Sequence, residues 1–575
     1  MGEQASFPIT TVADRCRDCY RCIRSCPVKA IRIEAENDKL RARIVEDLCV
    51  LCGRCVLTCP QGAKKVSLSR ERVKELLACG GPVVASVAPS FAAVLPPGYA
   101  LTLPAMLKAL GFALVQQTSW GAELVCRAQK QLPKDRSYIS TACPVVVNLV
   151  EKYYPELISR LAPLVSPMVA HGRWIKQNYP QSRVVFIGPC IAKKEEARQF
   201  PDAVDEVLGF DELWQWLEAE GLSPGQFVPG DFDPPHPQRA ILFPVEGGEL
   251  HTLSLSTDML DTRVVAISGL VNCIDFLSQL QRGYIKHPPA FMELLACNGG
   301  CIAGPLMETA GDIFVRRQRI IEYFRARSSA ASLTREEEGR PLPLNMLQRR
   351  YRERKIYRPE PPAEAIKQIL AQTGKYTPED ELNCGACGYN SCREKAAAVY
   401  WGMAEVQMCI PYMRRRAESM SNLVINAMPN GCIIVNRHLE ILEVNPAVRE
   451  MFGWQGKEIT GQKLDQLIDA TNFRRVLATG EPLNVLHTYD EYDRIIREVI
   501  FPLEKGEVVV GILVDITHER RQQEELKQMK TQTIKRAQEV INKQMKVAQE
   551  IAGLLGETTA ETKVLLSQLI RLMQE

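Results

Sequence analysis

The sequence predicts a multidomain chain of mixed α/β and α+β class, on three observations. Its 575 residues leave room for about four domains at the usual domain size. Its 20 cysteines fall mostly into short, regularly spaced motifs. Residues 80–330 alternate apolar, strand-like runs such as VVASVAPSF and SRVVFIGPC with helix-like segments such as Pro155 to Leu164 and Asp211 to Glu220. The chain reads as six stretches: 1–66, 80–330, a charged and Pro-rich connector at 331–365, 366–416, 420–517, and a helical tail at 518–575. The connector's arginines suit either a solvated helix and linker or an acidic partner.

Composition excludes several functions. The net charge is only +3, which argues against a nucleic-acid protein working by bulk charge. Hydrophobic residues make up 46%, enough for several cores and too many for disorder. The longest apolar stretch, Val83 to Leu95, is broken by Ser86, Pro89 and Ser90 and is too short to span a membrane. The opening MGEQASFPIT has neither a basic nor an apolar signal region, and its fit to a myristoylation pattern at Gly2 and Ser6 reads as chance. A cytoplasmic location is expected. In a reducing compartment, clustered cysteines mean metal or redox chemistry and not structural disulfides.

The first stretch repeats one spacing: Cys16-x2-Cys19-x2-Cys22-x3-Cys26-Pro27 and Cys49-x2-Cys52-x2-Cys55-x3-Cys59-Pro60. This is the bacterial ferredoxin pattern, in which the fourth cysteine of each run serves the other cluster. Cys16, Cys19, Cys22 and Cys59 are therefore expected to hold one 4Fe–4S cubane, and Cys49, Cys52, Cys55 and Cys26 the other. Structural zinc, the alternative, pairs two CxxC knuckles and not triplets.

The middle stretch carries three separated motifs: TACPVVVN with Cys143, IGPCIAKKEEA with Cys190, Lys193 and Glu196, and MELLACNGGCIAGP with Glu293, Cys297, Cys301 and Gly304. Two single cysteines plus a CxxxC can ligate a cubane. Over about residues 80–330 these motifs resemble the three signature segments of the catalytic domain of FeFe-hydrogenases. That resemblance implies that Cys143, Cys190, Cys297 and Cys301 hold a cubane, with Cys301 bridging to a di-iron unit bearing CO, cyanide and a dithiolate amine. It implies that Lys193 meets a cyanide ligand and that Ala88, Pro89 and Ser90 line the pocket.

The departures from the family pattern matter as much. Ala142 stands where the family has a proton-shuttling cysteine, and a methyl group relays no proton. Gly188 and Leu295 replace two methionines, and Ala128 and Gln129 replace an acidic stretch in GAELVCRAQK. The pattern is similar to that of the sensory group of FeFe-hydrogenases, which implies low turnover. A degenerate domain that keeps only its cubane is the alternative. Cys79, Cys126 and Cys273 are left over and read as buried apolar cysteines.

Cys384-x2-Cys387-x4-Cys392-x16-Cys409 resembles a small 4Fe–4S domain and implies a fourth cubane, with four-thiolate zinc as the alternative. Residues 420–517 resemble a PAS domain in MPNGCIIVNRHLEILEVNPAVREMFGW and EVVVGILVDITHERR. No haem ligand or flavin-adduct motif stands out, and Cys432 reads as core. The tail carries stripes spaced by seven, Ile534, Ile541, Ala548 and Leu555 beside Val540, Val547 and Leu554, as in a coiled coil. A single amphipathic helix packed on the preceding domain is the alternative.

Together these readings imply a sensory FeFe-hydrogenase that reports H2 or redox state through Fe–S clusters and a PAS domain. Its expected partners are H2 and protons, a redox protein such as ferredoxin, a kinase, phosphatase or regulator, and a second copy meeting it through the PAS domain and tail; nucleic acid and membrane are not expected. The rivals are a ferredoxin-linked bidirectional hydrogenase and a cubane-only redox scaffold.

Overall fold

The computed structural model describes residues 7–36, 39–95, 100–256, 258, 260–307, 312–330, 340–503, 507–552 and 559–573. Gly2 and Ser6, and Leu554 and Leu555, lie outside them. The chain divides into two units, Met1–Tyr412 and Met413–Glu575. Among the described residues no helix is long and apolar enough to cross a membrane.

In the first unit the cysteine-rich N-terminus forms two small antiparallel pairs, Ile9–Thr11 with Lys64–Val66 and Ile31–Glu36 with Lys39–Ile44. Two five-residue helices, Arg21–Ser25 and Arg54–Thr58, each lead into the last cysteine of a run. Next comes a four-stranded parallel sheet in the order Leu114–Gln117, Val83–Val87, Arg183–Gly188, Glu206–Gly209. Its central strand, VVASV, is buried along its whole length, as a parallel strand covered by helices on both faces must be. A second parallel sheet, Val264–Ser268, Phe291–Leu295, Tyr138–Ile139, stands apart from it. In a parallel sheet all strands end on one side, and functional groups gather beyond those carboxyl ends. The motif residues Ala88-Pro89-Ser90 and Pro189-Cys190 follow neighbouring strands of the first sheet, while Ser140 to Cys143 and Cys297 follow strands of the second.

The stretch read from sequence as a connector behaves differently where it is described. Beyond Leu344–Leu347 its arginines pair with buried acids of the same domain. Arg349 lies 3.3 Å from Glu196 and Arg354 lies 2.6 Å from Glu151, while the Tyr351 hydroxyl donates to Leu164 O at 2.6 Å. Acids buried in the α/β core need these cations, and sequence separation hid the pairing.

The second unit holds one five-stranded antiparallel sheet in the order Ile441–Val444, Gly431–Asn436, Val508–Asp515, Arg494–Leu503, Leu483–Tyr489. Trp454, Phe473, Ile433 and Val476 fill its core, and Cys432 is buried in its strand. Asn445 fastens the turn into the helix Pro446–Met451. Its Oδ1 accepts from Cys432 N at 2.9 Å and from Val448 N at 3.2 Å, and its Nδ2 donates to Asn430 O at 2.8 Å. The tail is described as two helices, Thr517–Ala552 and Thr559–Leu572, which touch each other. Ile534, Ile541 and Ala548 are half-buried, whereas Val540 and Val547 stay exposed.

Candidate functional site

A cavity of about 610 Å³, counted to its open mouth, lies beyond the carboxyl ends of the two parallel sheets. Its wall includes Ala88, Pro89, Ser90, Ala142, Cys190, Lys193 and Cys301. Residues drawn from four distant segments thus meet at one place. Cys143 caps the helix Pro144–Tyr153 from just behind Ala142. Cys143, Cys190 and Cys301 lie within electrostatic reach of one another and of Cys297.

The surroundings suit an inorganic group. Burial, reinforced by the neighbouring thiols, pushes the Cys190 thiol up to about 11 and that of Cys301 up to about 12. Burial there disfavours the thiolate form, and ligation to a metal is what would make thiolates stable in such a place. The hydroxyls of Ser90 and Ser119 are buried in the cavity wall with no hydrogen-bond partner among the described residues. Orphaned buried hydroxyls cost about 1–3 kcal/mol each unless a bound group satisfies them. Gly300 lets the chain pass the wall: with φ of +104°, an added Cβ would sit 2.3 Å from Pro244 O.

Lys193 is buried in the cavity wall, its Nζ donating to Glu196 at 2.7 Å. Glu196 also accepts from Ser166 Oγ at 2.9 Å, which fixes the ammonium in place. The departures have physical counterparts. At Gly188 an added Cβ would lie 2.5 Å from the Phe186 ring, so an aromatic ring of the wall takes the space a longer side chain would need. Ala142 presents a methyl to the cavity, and its N–H donates to Ser140 Oγ at 3.3 Å.

Behind Ala142 lies a polar route that motif reading missed. Ser140 Oγ donates to Glu249 at 2.5 Å. Glu249 lies within electrostatic reach of Glu293, which accepts from Gly247 N at 3.0 Å and Leu250 N at 3.2 Å. Beyond Glu293 stands the exposed Glu246, whose carboxylate accepts from Ser268 Oγ. Burial raises both Glu249 and Glu293 above the ordinary carboxylate range, and like charge raises Glu293 further. The sequence signal was an acid at Glu249, in a segment with no motif, 44 residues before Glu293; only folding joins them.

The N-terminal cysteines line up by fold and not by run. One cavity is lined by Cys16, Cys19, Cys22 and Cys59 together with Lys64. Cys49, Cys52 and Cys55 feel Cys26. The second set abuts the middle domain: Gly53 packs on Pro305 and Ile191, Cys52 is within electrostatic reach of Cys297, and Lys152 Nζ donates to Cys49 O at 2.7 Å. A further cavity is lined by all four of Cys384, Cys387, Cys392 and Cys409, with Lys375 Nζ 3.4 Å from Cys409 Sγ. Among the described residues no three such side chains converge tightly enough for a single ion. Of the leftover cysteines, Cys126 and Cys273 are buried, but Cys79 is exposed, because it ends the helix Arg70–Ala78 just before Gly80-Gly81.

Residues 81–305 match the family model of the C-terminal domain of the iron-only hydrogenase large subunit; 15–63 match the 4Fe-4S dicluster domain, 380–411 an Fe-S cluster family, and 425–521 the PAS fold. The periplasmic [Fe] hydrogenase large subunit of Nitratidesulfovibrio vulgaris is 25% identical over 257 residues, 35% of this chain and 60% of that protein. Iron hydrogenase 1 of Clostridium pasteurianum is 24% identical over 255 residues, 34% of this chain and 44% of that protein. The chain therefore spans less than two thirds of the length of these relatives. A solved structure of [FeFe]-hydrogenase HydA1 from Chlamydomonas reinhardtii aligns over 50% of this chain and 100% of its own, at 19% identity and a TM-score of 0.39. Residues 81–305 of the chain thus match the C-terminal domain of the iron-only hydrogenase large subunit, preceded in sequence by a match to a 4Fe-4S dicluster domain and followed by one to the PAS fold.

Proposed function

We propose that this chain is a sensory FeFe-hydrogenase, an oxidoreductase that exchanges H2 with protons and electrons at low rate and passes its redox state to a signalling partner. The observation that supports it most is the cavity where Cys190, Cys301, Lys193 and the Ala88-Pro89-Ser90 segment meet. Cys143, Cys190, Cys297 and Cys301 would hold a cubane, and Cys301 would join it to a di-iron unit. When bound, that group supplies the heterolytic splitting of H2. Lys193, anchored by Glu196, offers a fixed positive donor, and Ser90 and Ser119 offer hydroxyl donors without other partners among the described residues. Phe186, Phe243, Met168 and Leu295 give the rest of the wall an apolar character.

Proton movement is the task left to the chain. Ala142 cannot relay a proton, and Ser140, Glu249, Glu293 and Glu246, placed behind it, are the groups that would hold and pass protons toward the surface. Electrons enter or leave through the cubane sets of the N-terminus. A ferredoxin-like redox partner suits those sets, and a kinase, phosphatase or regulator suits the PAS fold, with a second copy meeting this chain through the PAS fold and tail. The glutamate route also favours a second reading, a bidirectional hydrogenase with real flux.

The test is infrared spectroscopy of the anaerobically matured full chain under hydrogen and then argon. Bands of iron-bound CO and cyanide that shift between the gases are expected. Cubane iron with no such bands refutes the reading and leaves a redox scaffold. A turnover matching flux enzymes, unchanged on removing residues 420–575, selects the bidirectional hydrogenase.

A further inference from the structure

The small module holding Cys384, Cys387, Cys392 and Cys409 does not hang free of the N-terminal domain. Gly388, at φ of +89°, lies so close to the helix Arg21–Ser25 that an added Cβ would be 2.6 Å from Arg24 Cα. The Tyr20 hydroxyl donates to Glu405 at 2.9 Å. At the centre of the contact the Lys29 ammonium sits 5.2 Å from the centroid of the Tyr389 ring. Tyr389 is buried, its hydroxyl without a partner among the described residues. Lys29 lies within electrostatic reach of Cys26 on one side and Cys387 on the other, and Tyr389 likewise feels both thiols.

Cys26 belongs with Cys49, Cys52 and Cys55, and Cys52 in turn faces Cys297 of the middle domain. One cysteine set therefore touches the middle domain on one side and the Cys384 module on another. The set of Cys16, Cys19, Cys22 and Cys59 lies in the same small domain as a third neighbour, and Cys19 and Cys384 reach the surface.

We propose that the electron path is forked: the cubane of Cys26, Cys49, Cys52 and Cys55 is the branch point, and Lys29 with Tyr389 forms the bridge through which the Cys384 cubane exchanges electrons with it directly. This rests on the reading that these cysteine sets hold cubanes. The Lys29 charge stabilises the reduced, more negative state of both bridged clusters, so the two share one electrostatic control. A partner at Cys19 and a partner at Cys384 then draw on the same electron through separate outlets. Lys29 is a positioning residue and takes no part in ligation.

The test is a redox titration followed by electron paramagnetic resonance, on the full chain loaded anaerobically with iron and sulfide. Lys29→Gln should make two cubanes harder to reduce, each by about tenfold in its reduction equilibrium, or about 59 mV for a one-electron couple. The other two midpoints should stay put, and Lys29→Arg should restore the parent values. Cys392→Ser and Cys49→Ser identify which signals move. Movement of a single midpoint, or of none, with four cubanes counted overturns the fork and leaves the cluster reading intact. An iron count for three cubanes with the Cys384 set empty overturns both, and is told apart by that count.

Discussion

Glu249→Gln should slow hydrogen exchange without emptying the site. Glu249 is fully buried and takes its hydrogen bond from Ser140 at 2.5 Å, one residue pair behind the wall residue Ala142. The amide keeps the shape and still accepts from Ser140, but it can neither take up nor release a proton. A positioned proton carrier is worth about 10²–10⁴ in rate, or about 3–5 kcal/mol at 1.36 kcal/mol per decade. The rate of H/D exchange between D2 and water should therefore fall by about two to four decades in the matured protein, with CO and cyanide bands retained. Glu293→Gln should do the same, and the double variant should be little worse than either, because links of one chain fail together. An exchange rate within about threefold of the parent, on protein with a complete set of infrared bands, would refute the proton route.

The same pair predicts a pH effect on stability. Burial raises both carboxyls above their ordinary range, so the folded state binds more protons than the unfolded state between that range and the raised values. The contribution is fully present below the ordinary carboxylate range and is lost as pH rises through the raised values; the fall in melting temperature across that window should shrink in Glu249→Gln. Lys194 Nζ sits 2.9 Å from Glu212 with both side chains buried, so Lys194→Met should strand a carboxylate and cost about 3–5 kcal/mol in denaturant unfolding of the first unit. Cys59→Ser should remove the same spectroscopic signal as Cys16→Ser, and Cys26→Ser the same as Cys49→Ser; loss paired by run instead of by cavity would contradict the crossed assignment. Asn445→Ala removes a helix cap and two backbone links at the strand edge, and should cost about 2–4 kcal/mol in the second unit, read from its own thermal transition.

The relation between sequence and structure differs from residue to residue. Cysteine spacing is local, because a loop of two residues between thiolates already sets how they wrap a cluster, and for that reason the two ferredoxin-type runs and the Cys384 set were legible. Strand-forming runs such as VVASV were legible because complete burial demands unbroken apolar sequence. The exposure of Cys79 was not read, although its cause is local: the helix Arg70–Ala78 stops there, just before Gly80-Gly81. Nor was the fate of the 340–362 stretch, whose arginines look like a solvated run until Glu196 and Glu151 are found buried opposite them.

By itself the sequence determined the kinds of chemistry present: sixteen cysteines in four ligand-like sets, a lysine and a serine placed for a pocket, and an alanine where a proton carrier was due. Short spacing carries the two ferredoxin-type runs and the Cys384 set, whereas the middle set, the pocket residues and the missing proton carrier rest on the resemblance to FeFe-hydrogenases. The tertiary structure alone decided that Ser140 donates to the buried Glu249 within electrostatic reach of Glu293, that Phe186 occupies the space beside Gly188, and that Lys29 stands between two cysteine sets. Each of these joins residues whose separation along the chain carries no information about their distance. The carboxyl ends of two parallel sheets and the docking of one small domain on another bring them together, and burial among those neighbours gives ordinary side chains their unusual properties.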